Sequence, residues 1–222
     1  LSPLANGCRA AWKDSCIPTS MMHDAIEFGR PTAPELLPWA AHVRWAIEND
    51  VLFVLDLRSD AYLSVPMAKL ETPGLARQLD GRGLLRSTDD APLAKPERTP
   101  SLGGKGPWSF WRAALWARKV MKRRALDRAT ALLQGADDAP VADARELVAR
   151  FQRWRPLYPR PASCLFDSLA LGRFLWGAGV RSNLIYAVRG GPFSAHAWLE
   201  IGGVIINDDP EYCAGFTPMR GP

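Results

Sequence analysis

Apolar residues along this chain recur at several spacings, and each spacing predicts a different element. In "LLPWAAHVRWAIEND" (36–50), Trp39, Val43 and either Ala46 or Ile47 share one face at a period near 3.6, which predicts a short helix. "DVLFVLDLRSDAYLSVP" (50–66) reads differently. Its residues 51–57 are a run of β formers, Arg58-Ser59-Asp60 is turn-like, and 61–65 return as a second strand, so a hairpin is expected. Helical spacing resumes in "GLARQLDGRGLL", ending near Leu85. Residues 87–107 hold Pro92, Pro96, Pro100 and Pro107 with Gly103, Gly104 and Gly106, a composition that resists helix and strand and reads as a linker.

Helices are predicted next over 108–134, with Trp108, Trp111 and Trp116 read as core, and over 141–153, with Leu147, Val148 and Phe151 as the apolar face. The pattern sharpens after Pro161. Pro161 and Ser163 are start signals and Gly177 and Gly179 stop signals, and between them only Asp167 and Arg173 are charged, so this helix is expected to be buried on most sides. Extended segments follow at 182–189, 194–201 and 204–208, the last two joined by Gly202-Gly203, a hairpin signal. The reading is α+β, helices first and antiparallel sheet after. The chain divides into an unassigned segment (1–49), a hairpin module (50–86), the linker (87–107) and a second domain (108–222).

Composition changes this picture little. Of 222 residues, 47% are hydrophobic and 23% charged, a globular balance, and no run approaches the roughly 18 apolar residues of a membrane span. A soluble protein without a membrane partner is expected. The opening "LSPLANGCRAAWKDSCIP" has no basic flank followed by an apolar core, so no secretory signal is read and the cytoplasm is the expected compartment. The net charge of +5 is concentrated in "RAALWARKVMKRRALDR" (112–128). Charge alone leaves a nucleic-acid partner open, but a solvated helix face is the commoner use of such a run and no nucleic-acid partner is expected.

Four cysteines, Cys8, Cys16, Cys164 and Cys213, show neither paired metal spacing nor the density of a disulfide scaffold, so reduced thiols and no metal are expected. Cys164 differs from the others. It opens the apolar helix, where unsatisfied N–H groups and the helix dipole favour a thiolate. A cysteine hydrolase also needs an imidazole to exchange the thiol proton and a carboxylate or amide to orient the imidazole. His196, in "AHAWLE", and Asp208 or Asp209, ending the next strand, supply both types in the same block. A tight two-residue turn at Gly202-Gly203 sets His196 opposite Asp209, and a three-residue loop sets it opposite Asp208. Pattern leaves the two open. Cys8, Cys16, Cys213, His23 and His42 are read as structural or exposed. The oxyanion donors are not legible, the backbone N–H of Cys164 and the Gln152 side chain being the only candidates.

With these residues in view, "SCLFDSLALGRFLWGAGVRSNLIYAVRGGPFSAHAWLEIGGVIINDD" resembles the transglutaminase-like cysteine peptidases of lasso peptide biosynthesis, the B proteins that remove the leader from a ribosomal precursor. Its carriers are Cys164 with Leu165, Ser168 and Leu169, Val188-Arg189, Pro192-Phe193, the "AHAWLE" run around His196, and Asn207-Asp208. The resemblance implies a transglutaminase-like or papain-like peptidase domain with Cys164 as nucleophile, His196 as base and Asp208 as third member. It implies a leader peptide as substrate and an ATP-dependent lasso cyclase as partner. Through that partner it implies ATP dependence, while no bound cofactor and no phosphate loop of its own are expected. In fused members a small winged-helix module precedes the peptidase and pairs an edge strand with the leader. The hairpin at 51–65 and the "GLARQLDGRGLL" segment resemble it, with Val51, Phe53, Leu55 and Tyr62 as candidate leader contacts.

Overall fold

The computed structural model describes residues 34, 37–70, 72, 74–86, 106–135, 141–159 and 163–221. Cys8, Cys16, His23 and nearly all of the expected linker lie outside them.

The helix expected over 36–50 is not formed. Val43–Glu48 is a strand, β1, paired antiparallel with β2 (Val51–Asp56), which pairs in turn with β3 (Ala61–Pro66). Trp39, Val43 and Ala46 do sit inside, but Val43, Trp45 and Ile47 also alternate. Val43 and Ala46, three apart, lie on opposite faces of the strand, and because both faces are covered both are buried, which imitates a helical spacing; ladder pairing with a strong β run decides it. Asn49 and Asp50, both at positive φ, make the β1–β2 turn. The β2–β3 hairpin and the following helix α1 (Leu75–Gly81) form where the sequence places them.

This sheet is covered on both faces. Leu52, Val54 and Val65 pack with Trp39, Leu70 and Leu79, under α1. Phe53 and Leu55, with Ala46 and Leu57, face the other way and join the main core of the C-terminal half. Such double burial is why β2 reads as an unbroken apolar run.

The helix expected over 108–134 is two: α2 (Pro107–Arg123) and α3 (Leu126–Leu133), separated by Arg124 in the left-handed region (φ 50°) and Ala125. Arg124 N–H closes onto Met121, the Ala125 N–H onto Val120, and the chain redirects so that Leu126 and Leu133 are buried. Trp108 is 82% exposed, against expectation, while Trp111 and Trp116 are half-buried. After α4 (Val141–Trp154) comes α5 (Cys164–Gly177), with Phe166, Leu169, Phe174 and Leu175 all buried. Its four-stranded antiparallel sheet has the order β6-β5-β4-β7, with β4 (Asn183–Arg189), β5 (Ser194–Ile201), β6 (Val204–Ile205) and β7 (Thr217–Pro218). A four-residue helix, α6 (Pro210–Cys213), connects β6 to β7.

Alternation sorts β5 into two faces. Ala197, Leu199 and Ile201 look into the main core with the helices, and Trp198 packs with Ala187, Cys213 and Phe216 on the far side. Close fit against α5 is enforced at Gly172, where an added Cβ lies 2.9 Å from Leu133 Cδ1. The two sheets are joined directly: Trp45 and Arg220 exchange backbone hydrogen bonds, Gly190 N–H donates to Glu48 Oε2 at 2.9 Å, and Phe193 stacks on Phe53.

Candidate active site

Two of the three expected chemical residues meet directly. His196 Nε2 lies 2.8 Å from Asp208 Oδ2. His196 is buried among Trp198, Tyr212 and Phe216, whose rings hold the imidazole plane, and Asp208 is half-buried. Burial alone would push the Asp208 carboxyl up. The hydrogen bond from His196, a second from the Asp209 N–H and the nearby imidazole outweigh it and hold the carboxyl below its ordinary value.

The pairing register explains why Asp208 is the partner, in a way the sequence could not. Gly202 and Gly203, both at positive φ, form the tight two-residue turn, with Ile201 opposite Val204 and Glu200 opposite Ile205. A continued ladder in that register would bring Asp209 across from His196. The ladder does not continue: after the bond from Ile206 N–H to Leu199 O, the chain leaves β5. Asp208 then turns toward His196, whereas Asp209 caps α6 by accepting from Glu211 N–H.

Cys164 is the first residue of α5, half-buried, with Ser163 extended before it (φ −146°, ψ 123°). The Ser163 hydroxyl does not cap the helix. Asp167 does the work from inside, accepting from Ser163 N–H while Arg155 pairs with its carboxylate. One turn beyond Cys164, Ser168 is fully buried and donates to Ala197 O at 3.0 Å, on the residue next to His196. This bond ties the thiol-bearing end of α5 to the edge of β5 that β6 leaves uncovered. Gln152 lies exposed on α4.

Cys213, read from sequence as structural, is next to the pair: one donor atom each of His196, Asp208 and Cys213 lie within 4.8 Å of one another. Burial, with Asp208, Asp209 and Glu200 around it, pushes the Cys213 thiol up to about 12. A metal would need its thiolate, and the hydrogen bond between the other two already uses their facing atoms. Nothing in the sequence signals this neighbour, because it arrives through α6 from the far side of the sheet. A cavity of about 300 Å³ between α2 and the last turns of α5, lined by Arg112, Trp116, Arg173 and Phe174, includes none of these residues.

Of the candidate leader contacts, Phe53 and Leu55 are buried in the core shared with the C-terminal half, and Val51 packs against it. Tyr62, on β3, is half-buried with its ring against Phe193. These side chains hold the small sheet on its neighbour. β2 is the middle strand and both its edges are used, and the outer edge of β1 is engaged at Trp45 by Arg220. Among the described residues, β3 keeps the open edge.

Among the described residues no helix is long and apolar enough to cross a membrane. No solved structure matches the chain. The microcin J25-processing protein McjB of Escherichia coli is 43% identical over 49 residues, 22% of this chain, so the match spans about a quarter of that relative (24%). The family model described as the transglutaminase-like superfamily matches residues 108–221, just over half of the chain and the whole of the helix-and-sheet unit that carries Cys164, His196 and Asp208, and the chain belongs to that superfamily.

Proposed function

We propose that this protein is a cytoplasmic cysteine peptidase that removes the leader from a ribosomally made lasso precursor, before an ATP-dependent partner cyclase closes the macrolactam. The observation that carries it is the His196–Asp208 hydrogen bond beside the uncovered edge of β5, to which Ser168 anchors the helix that Cys164 opens. The likeness to a microcin-processing protein supplies the substrate class.

Asp208 occupies Nε2 of His196, so Nδ1 is the nitrogen that exchanges a proton with the thiol. The Cys164 thiolate attacks the scissile carbonyl, forming a C–S bond. The imidazolium then gives its proton to the departing amine as the C–N bond breaks. The core peptide leaves with a new amino terminus, and the leader remains as a thioester on Cys164. Water, deprotonated by His196, attacks the thioester and releases the leader carboxylate and the thiol. The N–H of Cys164, in the first turn of α5, is the candidate oxyanion donor.

Superfamily membership makes acyl transfer to an amine the alternative fate of the thioester. Mass spectrometry of a cognate precursor incubated with the protein, with and without cyclase and ATP, separates the two: a leader ending in a free carboxylate is expected, and an amide-linked leader would replace the hydrolase with a transferase.

Leader recognition is assigned to β3 by strand addition. Met67 N–H bonds Asp50 O in the same register as the β2–β3 ladder, so the odd residues of β3 face β2 and the backbone groups of Tyr62 and Ser64 face outward. Ser64→Pro removes one outward N–H while leaving the β2–β3 bonds intact. At roughly 1 kcal/mol per net hydrogen bond, leader affinity is expected to fall about 3- to 10-fold in anisotropy titrations, with the thermal midpoint little changed. Unchanged affinity would remove β3 as the docking edge.

A further inference from the structure

Where β6 stops, β5 is left with backbone groups that a longer strand would have satisfied. The bonded pairs Ile201–Val204 and Leu199–Ile206 show that odd residues of β5 point their N–H and C=O toward β6. The next groups along that edge are the Leu199 N–H and the Ala197 C=O. Both are taken by side chains: Leu199 N–H donates to Asn207 Oδ1 at 2.7 Å, and Ala197 O accepts from Ser168 Oγ. The two side chains are also joined, Asn207 Nδ2 donating to Ser168 Oγ at 2.9 Å. Ser168 has one hydroxyl proton, committed to Ala197, so the direction of every bond in the chain is fixed.

We propose that Ser168 and Asn207 are positioning residues for the Cys164–His196–Asp208 site, acting as a side-chain plug that replaces the missing rungs of the ladder. The plug has one end on each chemical group. Ser168 sits one helical turn from Cys164, Ala197 adjoins His196 and Asn207 precedes Asp208. It ends the strand at the point where Asp208, and not Asp209, reaches the imidazole, and it holds the first turns of α5 against the same edge. Removing either side chain leaves a buried backbone group without its partner and frees the three elements to shift against one another. A displacement on the order of 1 Å at a reacting pair costs about 100-fold in rate.

The inference rests on the proposed peptidase chemistry, but its test does not need the substrate. Iodoacetamide alkylation at Cys164, followed by site-resolved mass spectrometry from pH 5 to 9, reads whether the thiol is held as a thiolate–imidazolium pair, because the thiolate displaces iodide and the thiol does not. Cys213, protonated throughout this range, is a silent internal control. In the unaltered protein alkylation is expected to persist well below the ordinary thiol range near 8.5. In Asn207→Ala and in Ser168→Ala the low-pH limb is expected to collapse by at least about 10-fold, with the double variant no worse than the worse single, since one plug is being removed. Thr130→Ala, which breaks a buried hydroxyl contact to Tyr186 at 2.7 Å away from the plug, supplies a comparable loss of stability and should leave the profile unchanged. Precursor cleavage by the same variants should fall in kcat with KM nearly constant. An unaltered profile in Asn207→Ala, or an equal change in Thr130→Ala, would overturn the plug whether or not precursor is cleaved. A normal wild-type profile with no cleavage of any precursor would instead count against the peptidase reading alone.

Discussion

Cys164→Ala is expected to abolish leader release, by about 10⁶-fold in kcat if the residue is the nucleophile, since removing the attacking atom of a covalent hydrolase leaves only binding and oxyanion stabilisation. The informative comparison is with Cys213→Ala. Both thiols lie in the same domain, and Cys213 is within 4.8 Å of His196 and Asp208, which makes it the rival nucleophile on proximity alone. Environment separates them. Cys213 ends a four-residue helix, and burial, with three carboxylates nearby, pushes its thiol up to about 12, so it carries essentially no thiolate near neutrality. Cys164 opens a 14-residue helix whose dipole and first-turn N–H groups favour the anion. Cys213→Ala is therefore expected to keep most of the cleavage rate, read by mass spectrometry of the released leader at matched thermal stability. Loss of cleavage in Cys213→Ala with retention in Cys164→Ala would exchange the two assignments, and retention in both would sink a thiol mechanism.

What the sequence reveals here depends on whether a local signal or a distant partner decides the outcome. α5 is legible because start, apolar run and stop signals all lie within its own residues. The β2–β3 and β5–β6 hairpins are legible because β-rich runs flank turn residues. β1 is not, because Val43 and Ala46 are buried on opposite faces of a strand covered on both sides, which imitates a helical spacing, and only pairing with β2 settles it. The break at Arg124 is invisible for a similar reason: residues 108–134 hold a helical pattern throughout, and the turn is imposed by burying Leu126 and Leu133 against the rest of the domain. Phe53 and Leu55 announce a strand but not which neighbour claims their side chains. Ser168 and Asn207 were visible only as part of a resemblance, because each looks like an ordinary polar residue until the end of β6 gives it a rung to replace.

The choice between the two aspartates is the point at which local rules and the folded chain disagree, and so the sharpest test of the site. By turn geometry alone, the two-residue turn at Gly202-Gly203 favours Asp209, which a prolonged β6 would set opposite His196. In the folded chain Asp209 is spent on capping α6, and its N–H donates to Asp208. Asp208→Asn is expected to lower kcat by about 10⁴-fold, because an amide can present its N–H to Nε2 and so favour the wrong tautomer of the imidazole. Asp209→Asn keeps an oxygen for the α6 cap and is expected to cost less than about 10-fold. The same bond predicts the acid limb of stability. The Asp208 carboxyl is held below its ordinary value, so its contribution is complete above the unfolded carboxyl value near 4 and is lost as pH falls through the lower folded value. Asp208→Asn should flatten that part of the pH–stability curve. If instead Asp209→Asn carries the large kinetic loss, then β6 continues along β5 in the same register in the working enzyme, and this edge is extended when the precursor binds.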